Sequence, residues 1–232
     1  MNKKTSKAVI YYPVFLNLRD RRCVVIGGGM VALQKVKMLL NCGASVTVVS
    51  PKPHPDIAEL SKKKAIHLIL RDYEPGDLQG ATIAIATTNV EKINRRVAHE
   101  AKKNGILVNV ADNLRSSDFI IPSSFRRGNL TVAVSTAGMS PAFAKKIRMR
   151  LEKSLGEEYG SLLSLISEVR SALKEKGCTV DGEAWQKALD LNSLIRLIHK
   201  GQRKKTKANL IRKLEPYHVR SKRESPSKKD DL

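Results

Sequence analysis

Three successive glycines, Gly27, Gly28 and Gly29, follow directly on a short apolar run, Cys23-Val-Val-Ile26. With Ala32 they form Gly-x-Gly-x-x-Ala. Gly27 is placed to make a tight turn, Gly29 to let the backbone approach a pyrophosphate, and Ala32 to let helix and strand pack closely. The unpaired N–H groups of the following helical turn, which begins at Met30 and Val31, favour an anion, as does the helix dipole. Two more polar groups stand where strands should end. These are Thr87-Thr88-Asn89, and Asn109 with Asp112 and Asn113. An aspartate just past a buried strand is placed to take or relay a proton beside a bound nicotinamide. The plainer reading of Asp112-Asn113 is a turn that closes the strand. Asn109 lies inside its strand, where asparagine is unusual, and is expected to face a cleft.

One expected group is missing. A site for NAD usually has an acid at the end of the second strand, bound to the ribose 2′-hydroxyl. Here that place holds Ser50, Pro51 and Lys52. Ser50 can bond a hydroxyl, whereas Lys52 can accept a 2′-phosphate, so the residues alone leave NAD and NADP open. The five histidines form no pair at ligand spacing, the three cysteines lie far apart, and no serine nucleophile elbow occurs. No metal site is expected. Cys23 and Cys42, in apolar surroundings, read as buried free thiols in a reducing compartment.

The elements around these residues alternate in type. Strands are expected at Cys23–Ile26, Ser45–Val49, Ile66–Leu70, Ala81–Ala86 and Leu107–Ala111. Helices are expected after the glycines, over Pro55–Lys64 and over Glu91–Lys103. Tyr11–Leu18 reads as an edge strand. This alternation predicts an α/β fold with a Rossmann-like parallel sheet covered on both faces. Beyond it, Phe119–Ile121 and Leu130–Val134 read as two strands, and Ser140-Pro141 starts a helix with Ser as N-cap. So small a piece buries little area alone and points to pairing with a second copy. Helices follow over Leu155–Lys176 and Ala184–His199, with Asp181 or Gly182 as cap. The resulting division is 1–113 nucleotide-binding, 114–154 a small α+β dimerisation region, 155–200 a helical C-terminal section, and 201–232 a basic, partly disordered tail.

The 232 residues carry 43 Lys and Arg against 22 Asp and Glu, a formal charge of +21. Residues 1–150 hold 25 of those cations against 10 acids, and residues 200–232 hold 12 against 4. Such a field steers anions toward the protein. No apolar run reaches membrane-spanning length and the first residues lead into no signal-like segment, so a cytoplasmic location is expected.

In its ordered series of motifs the chain resembles the precorrin-2 dehydrogenases of siroheme synthesis. The series is Tyr12-Pro-Val-Phe-Leu16, Val25-Ile-Gly-Gly-Gly-Met-Val-Ala-Leu-Gln-Lys35, Val46-Thr-Val-Val-Ser-Pro51, Ala86-Thr-Thr-Asn89, Val108-Asn-Val-Ala-Asp112, Phe119-Ile-Ile-Pro122 and Val134-Ser-Thr-Ala-Gly-Met-Ser-Pro141. It covers roughly Tyr11 to Leu155. The resemblance implies oxidation of precorrin-2 to sirohydrochlorin by NAD in a homodimer, with Asp112 as the catalytic carboxylate. Gly27, Gly28, Gly29, Met30, Val31, Ser50, Pro51, Thr87, Thr88 and Asn89 would then hold the cofactor. Asn109, Asn113, Arg115, Ser135, Thr136 and Lys145 would meet the substrate, with Arg126, Arg127, Lys146 and Arg148 as further partners for its eight carboxylates. Some family members also insert Fe2+ into sirohydrochlorin, and no residue pattern here decides that second activity. Thr136 and Ala137 stand where relatives often have serine and glycine. The methyltransferase part of the fused enzymes has no counterpart in this sequence, so uroporphyrinogen methylation is not expected. Two other classes stay in view, a non-catalytic tetrapyrrole or nucleotide binder and a nucleic-acid binder acting through the basic tail. The latter is weak, with Tyr217 the one aromatic near that charge.

Overall fold

A computed structural model describes residues 9–217 and the backbone of residues 219–220. The chain divides into two compact units, Met1–Ile121 with Ala137–Met139, and Pro122–Thr136 with Ser140–Leu232.

The first unit is built on five parallel strands in the order β3-β2-β1-β4-β5. They are β1 (Arg22–Ile26), β2 (Ser45–Val49), β3 (His67–Ile69), β4 (Ile83–Ala86) and β5 (Leu107–Val110). Helix α1 (Met30–Leu40) joins β1 to β2, α2 (Pro55–Lys62) joins β2 to β3, and α3 (Glu91–Lys103) joins β4 to β5. Side chains alternate across the pleat and feed two cores. Cys23, Val25, Val46, Val48, Ile83 and Ile85 pack with Leu33, Val36 and Leu39 of α1 and Ile57 of α2. Val24, Ile26, Val49, Ala84, Ala86, Val108 and Val110 pack with Val97, Ala98 and Ala101 of α3. Both faces of the sheet are covered, as the continuous apolar strand runs require.

Two expected strands are absent. Residues 11–18 form no strand, and Tyr12, Val14 and Phe15 lie exposed while Leu18 is buried. An apolar run makes a strand only where its backbone enters a ladder, and this run pairs with none of the five strands. Phe119–Ile121 is not a strand either, because a single backbone bond, from the Asp118 N–H to the Val108 carbonyl (2.8 Å), and several side chains rather than a ladder hold this stretch to β5. Asp118 accepts the Val108 N–H (3.0 Å), Ser117 accepts the Val110 N–H (2.9 Å), and Asn109 donates to the Phe119 carbonyl (2.9 Å). Phe119 and Ile121 are thereby delivered to the core on the α1 side.

The second unit opens with an antiparallel hairpin, β6 (Ser123–Arg127) and β7 (Leu130–Val134). Helix α4 (Pro141–Ser154) follows, with the Ser140 hydroxyl accepting the Phe143 N–H (3.2 Å) and Pro141 at the first helical position. A helical section comes next, comprising α5 (Glu157–Glu175), α6 (Gly182–Ala188), α7 (Leu191–His199) and α8 (Arg203–Leu214). Asp181 caps α6, accepting the Ala184 N–H at 2.7 Å. The single helix expected over Ala184–His199 is two, because Asp190 caps a fresh start through the Ser193 N–H. The residues past Gly201 depart furthest from expectation. Instead of a polar tail they form α8, with Thr206, Leu210 and Leu214 buried against Leu162, Leu165 and Val169 of α5 and Leu194 of α7. A short antiparallel pair, β8 (Cys178–Thr179) with β9 (Val219–Arg220), follows that packing. The rest of the expected disordered stretch, 218 and 221–232, lies outside the described residues.

Among the described residues no helix is long and apolar enough to cross a membrane. None of the three cysteines forms a disulfide, and only Cys23 is fully buried, whereas Cys42 and Cys178 are half-buried. Desolvation, with the nearby Cys42, pushes the Cys23 thiol up to about 11.

Candidate functional site

In this strand order the direction of winding reverses between β1 and β4, and the crevice of such a sheet opens there, beyond the strands' C-terminal ends. Gly27, Gly28 and Gly29 form the bend on that rim. Gly27 is held at φ +115°, donates to the Val49 carbonyl (2.9 Å), and has no room for a side chain, because a Cβ would lie 2.7 Å from the Thr87 hydroxyl. A Cβ on Gly28 would lie 2.4 Å from the Ser50 hydroxyl and 2.7 Å from the Pro53 backbone, and the Gly28 carbonyl accepts the His54 N–H (2.7 Å). The first two glycines thus lock the bend against the ends of β4 and β2.

Gly29 differs. It is the N-cap of α1 in extended backbone, and a Cβ there would enter open space. No side chain caps this helix, no acid sits in its first turn, and Met30 and Val31 are exposed. Orphan N–H groups beside an open cradle are what a pyrophosphate needs. The residues present therefore fit a dinucleotide.

The cofactor residues expected from sequence gather on this rim in unequal ways. Ser50 is buried and its hydroxyl accepts the Lys52 N–H at 3.3 Å, whereas Pro51 and Lys52 are exposed. The Thr87 hydroxyl donates to the Ile26 carbonyl (3.1 Å), tying β4 to the start of the bend. The Thr88 hydroxyl is engaged by Asn94, 2.8 Å away, and Asn94 donates in turn to the Thr88 carbonyl (2.8 Å). Asn94 is a buried polar residue on α3 that the sequence reading missed. Its signal was an asparagine on the apolar stripe of that helix. Asn89 is exposed.

Asp112 ends β5 on the same rim. It is exposed and adopts φ +59°, a left-handed conformation that aspartate tolerates better than most residues. Its neighbours fix that turn. Asn113 donates from its backbone to Val110 (3.1 Å) and accepts the Ser116 N–H at its side chain (3.1 Å), while Ser117 bonds the Asn113 carbonyl (2.8 Å). Asn113 and Asn109 are thus both employed in shaping this loop, and Arg115 is exposed within it. Lys35, half-buried on α1, was read only as part of a motif. Burial holds its ammonium below the usual lysine range, and the negative charge of Asp112 opposes that shift.

Ser135, Thr136 and Lys145 belong to the second unit. The Thr136 hydroxyl donates to the Ser140 carbonyl and accepts the Ser140 N–H, both at 3.1 Å, and Lys145 is exposed on α4. Arg127 is committed to structure. It donates to the Leu155 and Glu152 carbonyls (3.0 and 3.1 Å), pairs with Glu157 (3.3 Å) and lies over the Phe125 ring. Arg148 pairs with Glu152. Ala137, in the first unit, sits at φ +51°. Among the described residues no group of three or more His, Cys, Asp or Glu gathers to hold a metal ion.

The sheet order and the open bend define a nicotinamide-dinucleotide-binding protein of Rossmann type. Residues 14–123 match the family model described as NAD(P)-binding, and residues 127–154 match the sirohaem biosynthesis protein central model. The chain is similar to siroheme synthases and to a precorrin-2 dehydrogenase. It is 42% identical over 167 residues to a siroheme synthase of Methylobacillus flagellatus, covering 72% of this chain and 36% of that one. With a siroheme synthase of Chromobacterium violaceum the identity is 39% over 182 residues, 78% of this chain and 39% of that one. The chain spans about two-fifths of the length of these curated relatives. Among solved structures it is similar to SirC, a precorrin-2 dehydrogenase, with TM-score 0.67 and 28% identity, over 89% of this chain and 100% of that one.

Proposed function

We propose that this protein oxidises precorrin-2 to sirohydrochlorin with NAD+ as acceptor. The observation that carries this reading is the shared rim. The open glycine bend follows β1, and a lone carboxylate held in a strained turn follows β5, two strands away, or about 10 Å at ordinary strand spacing. Kinship with SirC supplies the substrate. When bound, the nicotinamide supplies the hydride acceptor. The macrocycle loses that hydride and one proton, giving sirohydrochlorin, NADH and H+.

The chain's own residues do the rest. Gly29 and the first turn of α1 hold the phosphates. Asp112 takes the proton released as the macrocycle extends its conjugation, and Lys35 balances the charge beside it. NAD+ is preferred over NADP+ because the group nearest the ribose position is the buried Ser50 hydroxyl, while the adjacent cation, Lys52, is solvated. Asn113, Arg115, Ser135, Thr136 and Lys145 are assigned to the substrate. We assign the protein as a homodimer formed through the β6–β7 region, where the sheet has two strands among the described residues and buries little area by itself. Fe2+ insertion into the product would draw on the same carboxylate, with the metal as substrate.

The test is turnover of precorrin-2 with NAD+, read as sirohydrochlorin absorbance with one NADH per product. Asp112→Asn is the informative variant, because asparagine keeps the left-handed turn while losing the proton acceptor. It is expected to lower kcat by about 10²–10⁴-fold with NADH binding unchanged. An unaltered kcat removes Asp112 from the mechanism, and no turnover by the parent protein removes the assignment itself. Substituting Fe2+ for NAD+ after the first step tests chelation in the same cuvette, and sedimentation tests the dimer.

A further inference from the structure

On the opposite face of the sheet from α1, a groove of about 1180 Å³ runs between α3 and the turn at residues 73–81. None of the rim residues lines it. It extends to Lys103, Asn104 and Ile106, which precede β5, whereas the crevice lies where the strands end. One wall is a stripe in which the cations Lys92, Arg96 and Lys103, with His99 between them, stand at i, i+4, i+11 and i+7 on one face of α3. The two acids that line the groove are already consumed. Glu91 pairs with Arg95 (2.6 Å). Glu100 accepts the Tyr73 hydroxyl and the Gly76 N–H (3.1 Å).

Arg96, though exposed, lies 5.6 Å from the centre of the buried Tyr73 ring, so this cation is seated over the ring that lines the groove. Burial and the Glu100 hydrogen bond push the Tyr73 hydroxyl well above its ordinary range, which keeps it protonated and committed to Glu100. Among the described residues Lys92, Arg96, His99 and Lys103 form no ion pair. The opposite wall carries no charged side chain, only Tyr73, Pro75, Gln79 and Ala81, and it opens at Gly76 and Gly80, where a Cβ would meet nothing. A surface that occupies its own acids with an ion pair and hydrogen bonds and lines up unpaired cations around a concavity is complementary to negative charge.

We propose that this groove is a second anion site, for a compact polyanion with clustered phosphate or carboxylate oxygens, distinct from the dinucleotide crevice. Tyr73 is covered by Arg96 and offers no face for stacking, so recognition is of the anionic oxygens and not of a base. The inference does not depend on which reaction the crevice performs.

The experiment is calorimetric titration of the full chain with inorganic tripolyphosphate and, separately, with uroporphyrin, an octacarboxylate, each with and without saturating NAD+. The variant is Lys92→Gln with Lys103→Gln, both exposed, so folding is preserved and is checked by an unchanged Tm and unchanged NADH affinity. At least one probe is expected to bind in the presence of NAD+, and to bind the variant about tenfold more weakly or worse. The probe that shows the loss identifies phosphate or carboxylate as the source. Displacement of both probes by NAD+, equal affinity for parent and variant, or no binding by either probe overturns the proposal.

Discussion

Asp112 on the rim and Ala137 elsewhere in the first unit are held in conformations their types do not prefer, and Ala137 is the clearer case. It sits at φ +51°, where a Cβ costs about 1–2 kcal/mol. Ala137→Gly is expected to stabilise the protein by about 0.5–1 kcal/mol after the added unfolded-state entropy, seen as a rise in Tm. A fall in Tm would mean that the methyl packs better than the backbone suffers. Gly28 and Gly29 separate two roles that a glycine pattern merges. Gly28→Ala forces a Cβ into Ser50 and the Pro53 backbone and should lower Tm sharply. Gly29→Ala meets no protein atom, so Tm should hold while NADH affinity falls about tenfold, measured by fluorescence titration. The bend and Asp112 were legible because glycine spacing and a polar residue at a strand end are local signals. Asn94, Ser117 and Asp118 were not. Each works through a partner 6 to 10 residues away that only the folded chain reveals.

At the level of elements, legibility followed burial. The five strands of the sheet and α3 announce themselves because a parallel sheet covered on both faces needs unbroken apolar runs. Tyr11–Leu18 and Phe119–Ile121 are just as apolar and form no strand, since composition cannot supply a pairing partner. α8 was hidden by its charge. Its Thr206, Leu210 and Leu214 recur every four residues, but five cations lie among and before them over 203–212. The turn that crosses from β3 to β4 rests on Arg71 and Asp77, bonded at 2.7 and 2.8 Å. The Arg71 guanidinium holds the Asp77 carboxyl below the usual carboxylate range. A depressed carboxylate pKa stabilises the fold above the unfolded-state value near 4 and loses that stabilisation as pH falls through the folded value. Unfolding midpoints of the parent should therefore drop below about pH 4 more steeply than those of Asp77→Asn. Parallel acid limbs would show that the pair contributes nothing.

At the scale of the whole chain, the +21 charge is spread over both units, and the end richest in cations is also structural. Removing residues 203–232 takes away the burial of Leu210 and Leu214, about 3–6 kcal/mol at ordinary transfer values. The truncated chain is expected to show an earlier helical melting step by circular dichroism, while NADH binding at the glycine bend persists. A single unchanged transition would mean that α8 is dispensable to its neighbours. One practical consequence concerns any claim that this end recruits RNA or DNA. Cutting it off confounds lost attraction with a collapsed helical bundle, so a weaker gel shift from a shortened chain says nothing about nucleic acid. The clean comparison keeps every leucine and swaps only the outward Lys204 and Lys205 for glutamine.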